Sequence, residues 1–168
     1  LRPDANLQQL TVAASALEGP GGARLPAEQV DLLRVGYVAV ERPSDPSGAA
    51  APWPDPLLPL TGAITVAAGT NQPLWVRVRV PREAVPGLYR GELVLQTATA
   101  RARVPLQVTV FGFALPQRLT CSTAFGFSWG EVLRYQRLET ETDRRLVLGK
   151  YLASFAAHHV SPYDPAPM

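Results

Sequence analysis

The stretch VRVRVPREAVPGLYRGELVL, Val76–Leu95, decides the reading of the fold. In its first run Val76, Val78 and Val80 alternate with Arg77 and Arg79, and Trp75 joins the arginine side. In the second, Tyr89, Gly91, Leu93 and Leu95 share one side. Strand side chains point alternately to opposite faces, so each apolar set can line a core while its polar neighbours stay in water. Pro81 and Pro86 have no N–H to give a ladder and belong at strand ends or an edge. Gly87 after Pro86 predicts a type II turn, whose third position takes a positive φ.

The same alternation recurs at Val104, Leu106, Val108 and Val110. Upstream, LTVAASALEGPGG predicts a strand and then a turn at Gly19–Gly22. VDLLRVGYVAVE predicts another strand, with Val35, Tyr37, Val38 and Val40 competing for the core. Between these and Val76, residues 42–62 hold six prolines and predict an irregular surface loop pinned by its own apolar residues. Residues 1–116 therefore predict an antiparallel β-sandwich of immunoglobulin or fibronectin type, with six or seven short strands.

The pattern changes at residue 117. After the break at Pro116, Leu119–Ser128 reads as extended. Glu139–His159 reads as a helix, because Leu148, Tyr151, Leu152, Phe155 and His159 recur at three- or four-residue steps. Acidic Glu139, Glu141 and Asp143 suit its N-terminus, and His158 and His159 its C-terminus. Val160 onward starts a further extended piece. Strand, helix and strand form the start of a βαβ unit, and one such unit cannot cover its own sheet. Residues 117–168 are thus expected to be the cut start of a second domain, and Leu1 to be a processed or truncated end.

At 168 residues, with 46 % hydrophobic and 18 % charged side chains, the chain suits a packed globular protein, not a disordered one. A net charge of +2, with arginines spread along strands, gives no nucleic-acid footprint. No apolar run approaches the ~20 residues of a membrane span. A single cysteine, Cys121, excludes an internal disulfide or a thiolate zinc cluster, and its apolar strand setting suggests packing. No phosphate loop, nucleophile elbow or metal spacing is present, so no cofactor, metal or catalytic residue is assigned.

Asp45, Asp55 and Asp164 stand beside prolines as turn formers, although Asp55 beside Trp53 also suits a sugar hydroxyl. Trp53 and Trp75 are candidates for a sugar contact or a domain interface. Trp129, just past the predicted strand end, stands where barrels carry pockets.

Four segments in order, WPDPLLPL (53–60), LWVRVRVPREAVPGLYRGELVL (74–95), VPLQVTVFGFALP (104–116) and TAFGF (123–127), resemble the N-terminal region of proteins related to glycoside hydrolase family 123. Many of these carry the domain of unknown function 4091. The resemblance implies an accessory sandwich before a (β/α)₈ barrel, with Leu119–Ser128 as barrel strand one. It also implies a parent that cleaves β-linked N-acetylgalactosamine with an adjacent Asp–Glu pair and the substrate's own acetamido group. No position here matches that pair. The implied partners are the chain's own C-terminal barrel and glycans, and export would follow from a polysaccharide substrate. A stand-alone carbohydrate-binding module and an adhesion or spacer domain are the competing readings.

Overall fold

A computed structural model describes residues 1–117 and 121–163. Leu119 and Thr120, at the start of the expected barrel strand, and Asp164 lie outside the described residues. Residues 1–114 form one compact unit, and a second begins at Leu115.

The first unit runs β1 (Leu7–Ala14), β2 (Leu17–Glu18), β3 (Arg24–Leu25), β4 (Val30–Val40), β5 (Ala51–Pro59), β6 (Ile64–Val66), β7 (Leu74–Val78), β8 (Gly87–Gln96) and β9 (Arg101–Val110). One antiparallel sheet has the order β3-β2-β8-β1-β6, with β9 paired to β8; the other is β5-β4-β7. Leu17, Leu25, Tyr89 and Val110 of the larger sheet bury with Val30 of the smaller one. Leu10, Val66, Leu93 and Leu95 form a neighbouring cluster. Leu32 and Val76 pack against both, so the two sheets meet face to face. The inward rows at Tyr89–Leu95 and Leu106–Val110 agree with the alternation of the sequence.

Tyr89, 0 % exposed, anchors this core, and its hydroxyl donates to the Val85 carbonyl at 2.9 Å. The chain crosses its ring at Gly19, where a Cβ would sit 2.4 Å from the ring. Only a residue without a side chain fits there.

Several expectations need correction. The Val76–Leu95 connection closes from Ala84 N–H to Pro81 O (3.1 Å), so Arg82 and Glu83 form its centre. Gly87 instead opens β8 at φ 142°, well beyond the ~80° of a type II turn, with Pro20 packed against it. In β4 the core is filled by Val30 and Leu32, while Tyr37 and Val38 are exposed. Val80 and Val104, expected in the core rows, are also largely exposed.

The largest correction is β5, a nine-residue strand inside the supposed loop. Its pairing explains how. Leu60 N–H bonds Leu32 O, and the register runs Leu33↔Pro59 to Val35↔Leu57, then Tyr37↔Pro54 to Val40↔Ala51. Alternate residues of an edge strand turn their backbone groups away from the partner. That register turns Pro59 outward on one side of the irregularity and Pro54 and Pro52 outward on the other. The irregularity is one extra β5 residue opposite Gly36, a bulge that switches the parity to suit the prolines. Pro56 lies in the bulge, where a Cβ on Gly36 would come within 2.9 Å of its ring. The missing N–H groups fall where no bond is required.

The second unit holds β10 (Phe125–Gly126), α1 (Trp129–Gln136), α2 (Glu141–Ala157) and β11 (Pro162–Tyr163). β10 and β11 are parallel, Phe125 facing Pro162 and Gly126 facing Tyr163. The connection between them contains two helices where the periodicity predicts one. Ser128 caps α1 by accepting from Glu131 N–H, and Thr140 caps α2 by accepting from Asp143 N–H. The described part of the expected Leu119–Ser128 strand narrows to two residues. Cys121 is exposed and outside any strand, contrary to the packing role expected of it.

Candidate functional site

Trp53 sits on β5 opposite Val38, and Trp75 on β7 opposite Leu33. They are 46 % and 53 % exposed, so both present ring surface to water. The Trp53 indole N–H donates to the Ala49 carbonyl at 2.9 Å, which fixes the ring. Leu33 and Val38 lie five residues apart on β4, about 17 Å along the strand. The step is odd, so alternation sends the two tryptophans to opposite faces. They do not form one flat stacking platform.

Trp129 starts α1 and is half-buried beside Phe127, their centroids 6.4 Å apart. Phe127 meets Tyr151 at 5.3 Å and Phe155 at 5.2 Å, and Phe125 meets Phe155 at 5.6 Å. Gln136 Nε2 donates to the Tyr151 hydroxyl at 2.9 Å, tying α1 to α2. Trp129 therefore belongs to the aromatic packing that seats α2 on β10. His158 Nδ1 lies 2.7 Å from the Ser154 carbonyl at the end of α2, in the helix-terminal role expected of it.

The most elaborate polar group went unnoticed in the sequence. Arg77 Nε donates to Asp31 Oδ2 at 2.9 Å, and Arg79 Nη2 donates to Oδ1 at 3.2 Å and to the Glu28 carbonyl at 2.5 Å. Both carboxylate oxygens are occupied, so Asp31 braces β4 against β7 and is not a free acid. The signal was present: Arg77 and Arg79 alternate on the wet face of a strand and call for a cross-strand carboxylate.

A shallow depression of about 410 Å³ beside this brace is lined by Glu28, Asp31, Leu33, Pro59, Leu60 and Arg77. Another, of about 500 Å³, is lined by Ser15, Glu18, Arg24, Arg90 and Glu92. Its carboxylates are paired, Glu18 with Arg24 at 3.2 Å and Glu92 with Arg103 at 2.8 Å. The Ser15 hydroxyl donates to the Ala16 carbonyl and accepts from Glu92 N–H. Residues 1–114 contain no histidine to act as base, and both bonds of the hydroxyl are to backbone, a structural role.

Asp45 acts as the turn former expected from its setting. The Ser47 hydroxyl and then the Ser47 backbone N–H bond its carboxylate and hold its pKa below the ordinary value. Among the described residues no three His, Cys, Asp or Glu side chains gather as a metal site would require. No helix among them is long and apolar enough to cross a membrane.

These features define a β-rich domain of antiparallel sheets in which Glu18, Asp31 and Glu92 are paired with arginines. Residues 2–97, more than half of the chain, match the glycoside hydrolase 123 N-terminal domain, and the chain belongs to that family. A solved structure of a family 123 glycoside hydrolase from Clostridium perfringens, described for glycolipid glycan hydrolysis, matches with a TM-score of 0.80 at 16 % identity. The match covers 95 % of this chain and 29 % of that enzyme, so this chain spans under a third of the enzyme's length. At that identity the likeness is one of fold. None of the curated proteins matches this chain.

Proposed function

We propose that this chain is the non-catalytic, immunoglobulin-like β-sandwich of a glycoside-hydrolase-like protein, residues 1–116, joined to the opening βα unit of its catalytic barrel, residues 117–168. The observation that carries this reading is family membership over residues 2–97, beside which Asp31 and Glu92 are held by arginines as cross-strand braces. The sandwich label is supported by two facing antiparallel sheets, and by a buried tyrosine at the start of β8 bonded back to the chain four residues upstream. Parallel β10 and β11 joined through helices support the barrel unit.

In this reading the sandwich supports an adjacent exported barrel that hydrolyses β-linked N-acetylhexosamine glycans. The test compares two proteins on an aryl β-N-acetylgalactosaminide. The 168-residue chain should give no turnover, and a form extended through a full barrel should turn the substrate over. Turnover by the chain alone would refute the non-catalytic assignment; an inactive extended form would refute the substrate class. The half-exposed Trp53, with its ring held by Ala49, favours a second reading as a carbohydrate-binding module. Glycan titrations that leave the Trp53 and Trp75 fluorescence unchanged would eliminate it.

A further inference from the structure

The outer faces of the two sheets differ in kind. On the larger sheet Tyr89, Leu93 and Leu95 are buried, so alternation points Arg90, Glu92 and Gln96 to solvent. The register sets Gln107, Arg103 and Arg101 of β9 on the same side. This mostly polar face is what an antiparallel sheet with one wet side requires.

The smaller sheet breaks that rule. Val30 and Leu32 point to the core, so Asp31, Leu33, Val35 and Tyr37 lie on the outer face. Asp31, held by Arg77 and Arg79, closes one end of this row. Beyond it the face is apolar: Leu33 lies between Trp75 and Pro59, and Val35 lies beside Leu57. Trp75, Leu57 and Tyr37 are all exposed. β4 is thus apolar on both sides, the pattern of a strand that is covered on both.

Three occupants compete for this face, and its composition separates them. A glycan brings hydroxyls that need partners on burial. The Tyr37 hydroxyl already donates to the Asn71 carbonyl at 3.1 Å, and the side chains between it and Asp31 are apolar except for the Trp75 indole N–H. A second copy needs more surface, because the face holds roughly ten residues and a stable interface between free proteins uses about 20–30 a side. A tethered segment needs least. Its effective concentration is already high, and interfaces between domains of one chain can bury as little as about 600 Å². The fold match covers 29 % of the family 123 enzyme, so most of that enzyme's chain lies outside the matched part.

We propose that the outer face of β5-β4-β7, centred on Leu33, Val35 and Leu57, is covered by chain that follows Met168. This rests on the reading of the protein as a sandwich joined to a barrel, and it names the face through which the two would dock. Trp75 then belongs to that interface, and Trp53, on the opposite side of the same sheet, does not.

The test uses the 168-residue chain and the form extended through a full barrel, each carrying Leu57→Cys in a Cys121→Ser background. Maleimide labelling, followed on the peptide that contains position 57, should be at least about tenfold slower in the extended form. Gln107→Cys, on the polar face of the other sheet, should label equally in both. Leu57→Asp should lower the Tm of the extended form and leave that of the 168-residue chain unchanged. Equal labelling of position 57 in the two forms overturns the proposal. Slowing in the 168-residue chain that grows with its concentration assigns the face to a second copy, and slowing by an N-acetylgalactosamine oligomer assigns it to glycan; either result also overturns it. Turnover of the aryl glycoside is measured separately. An inactive extended form with position 57 protected would refute the substrate class and support the docking, and an active one with position 57 open would refute the docking alone.

Discussion

Replacing Tyr89 with Phe removes one hydroxyl and leaves the central ring in place. The lost bond, 2.9 Å to the Val85 carbonyl, is partly buried, and a hydrogen bond of this kind contributes about 0.5–1.5 kcal/mol net. Val85 is itself largely exposed, so its carbonyl can take a water and escape the larger penalty of an orphaned group. The expected loss is therefore about 1 kcal/mol, or roughly 4–8 °C in Tm for a domain of ~100 residues. Tyr89→Ala also removes the ring that fills the space over Gly19, and should cost about 3–5 kcal/mol. Urea unfolding followed by tryptophan fluorescence would measure both. A Trp129→Phe background restricts the signal to Trp53 and Trp75 in the first unit. A Tyr89→Phe midpoint equal to the parent's would show that the bond carries no stability. A Tyr89→Phe loss matching that of Tyr89→Ala would show that the ring is not the anchor.

Gly91→Ala should cost about 1–3 kcal/mol in the same assay, because its Cβ would lie 2.7 Å from the Ala16 carbonyl and 2.8 Å from Ser15 Oγ. Pro54→Ala should move stability by no more than about 1 kcal/mol, since position 54 makes no bond to β4. Leu58→Pro, which removes an N–H aimed at β4, should lower the midpoint well beyond that, and equal effects would refute the parity assignment. The Asp45 carboxyl should titrate below the ordinary Asp range, followed by its ¹³C shift. Its pKa is lowered in the folded chain, so its bonds to Ser47 persist above the ordinary range and are lost as pH falls through the lowered value. An unshifted midpoint would remove the Ser47 bonds from the account.

Where each residue has one dominant demand, the sequence is readable. In β7 and β8 the apolar rows have no alternative face, and Tyr89, Leu93, Leu95 and Val76 lie inward as alternation requires. β4 is harder, because every position from Leu32 to Val40 except Arg34 is apolar or Gly. Its inward face is chosen by which half the other sheet covers, a tertiary fact outside the local pattern. α1 was legible and missed: Ser128-Trp-Gly-Glu131 has the spacing of a capping box, and Ser128 does cap the helix. The Asp31 brace joins residues 46 and 48 positions apart. Only the β4–β7 register brings them together. The three tryptophans were visible as candidates, but whether they share a face depends on register too.

The proline-rich segment shows how the same residues can support opposite readings. Counting prolines predicts a loop, since each removes a donor. A strand at an edge needs donors only at alternate positions, and a bulge can shift which positions those are. β5 meets both conditions, with Pro52 and Pro54 outward before the bulge and Pro59 outward after it. The outcome is a regular strand that no further strand can extend. Pro105 serves β9 in the same way, so proline limits growth of both sheets at their long edges. Among the described edge strands of five or more residues, β7 alone has no proline in its outward row.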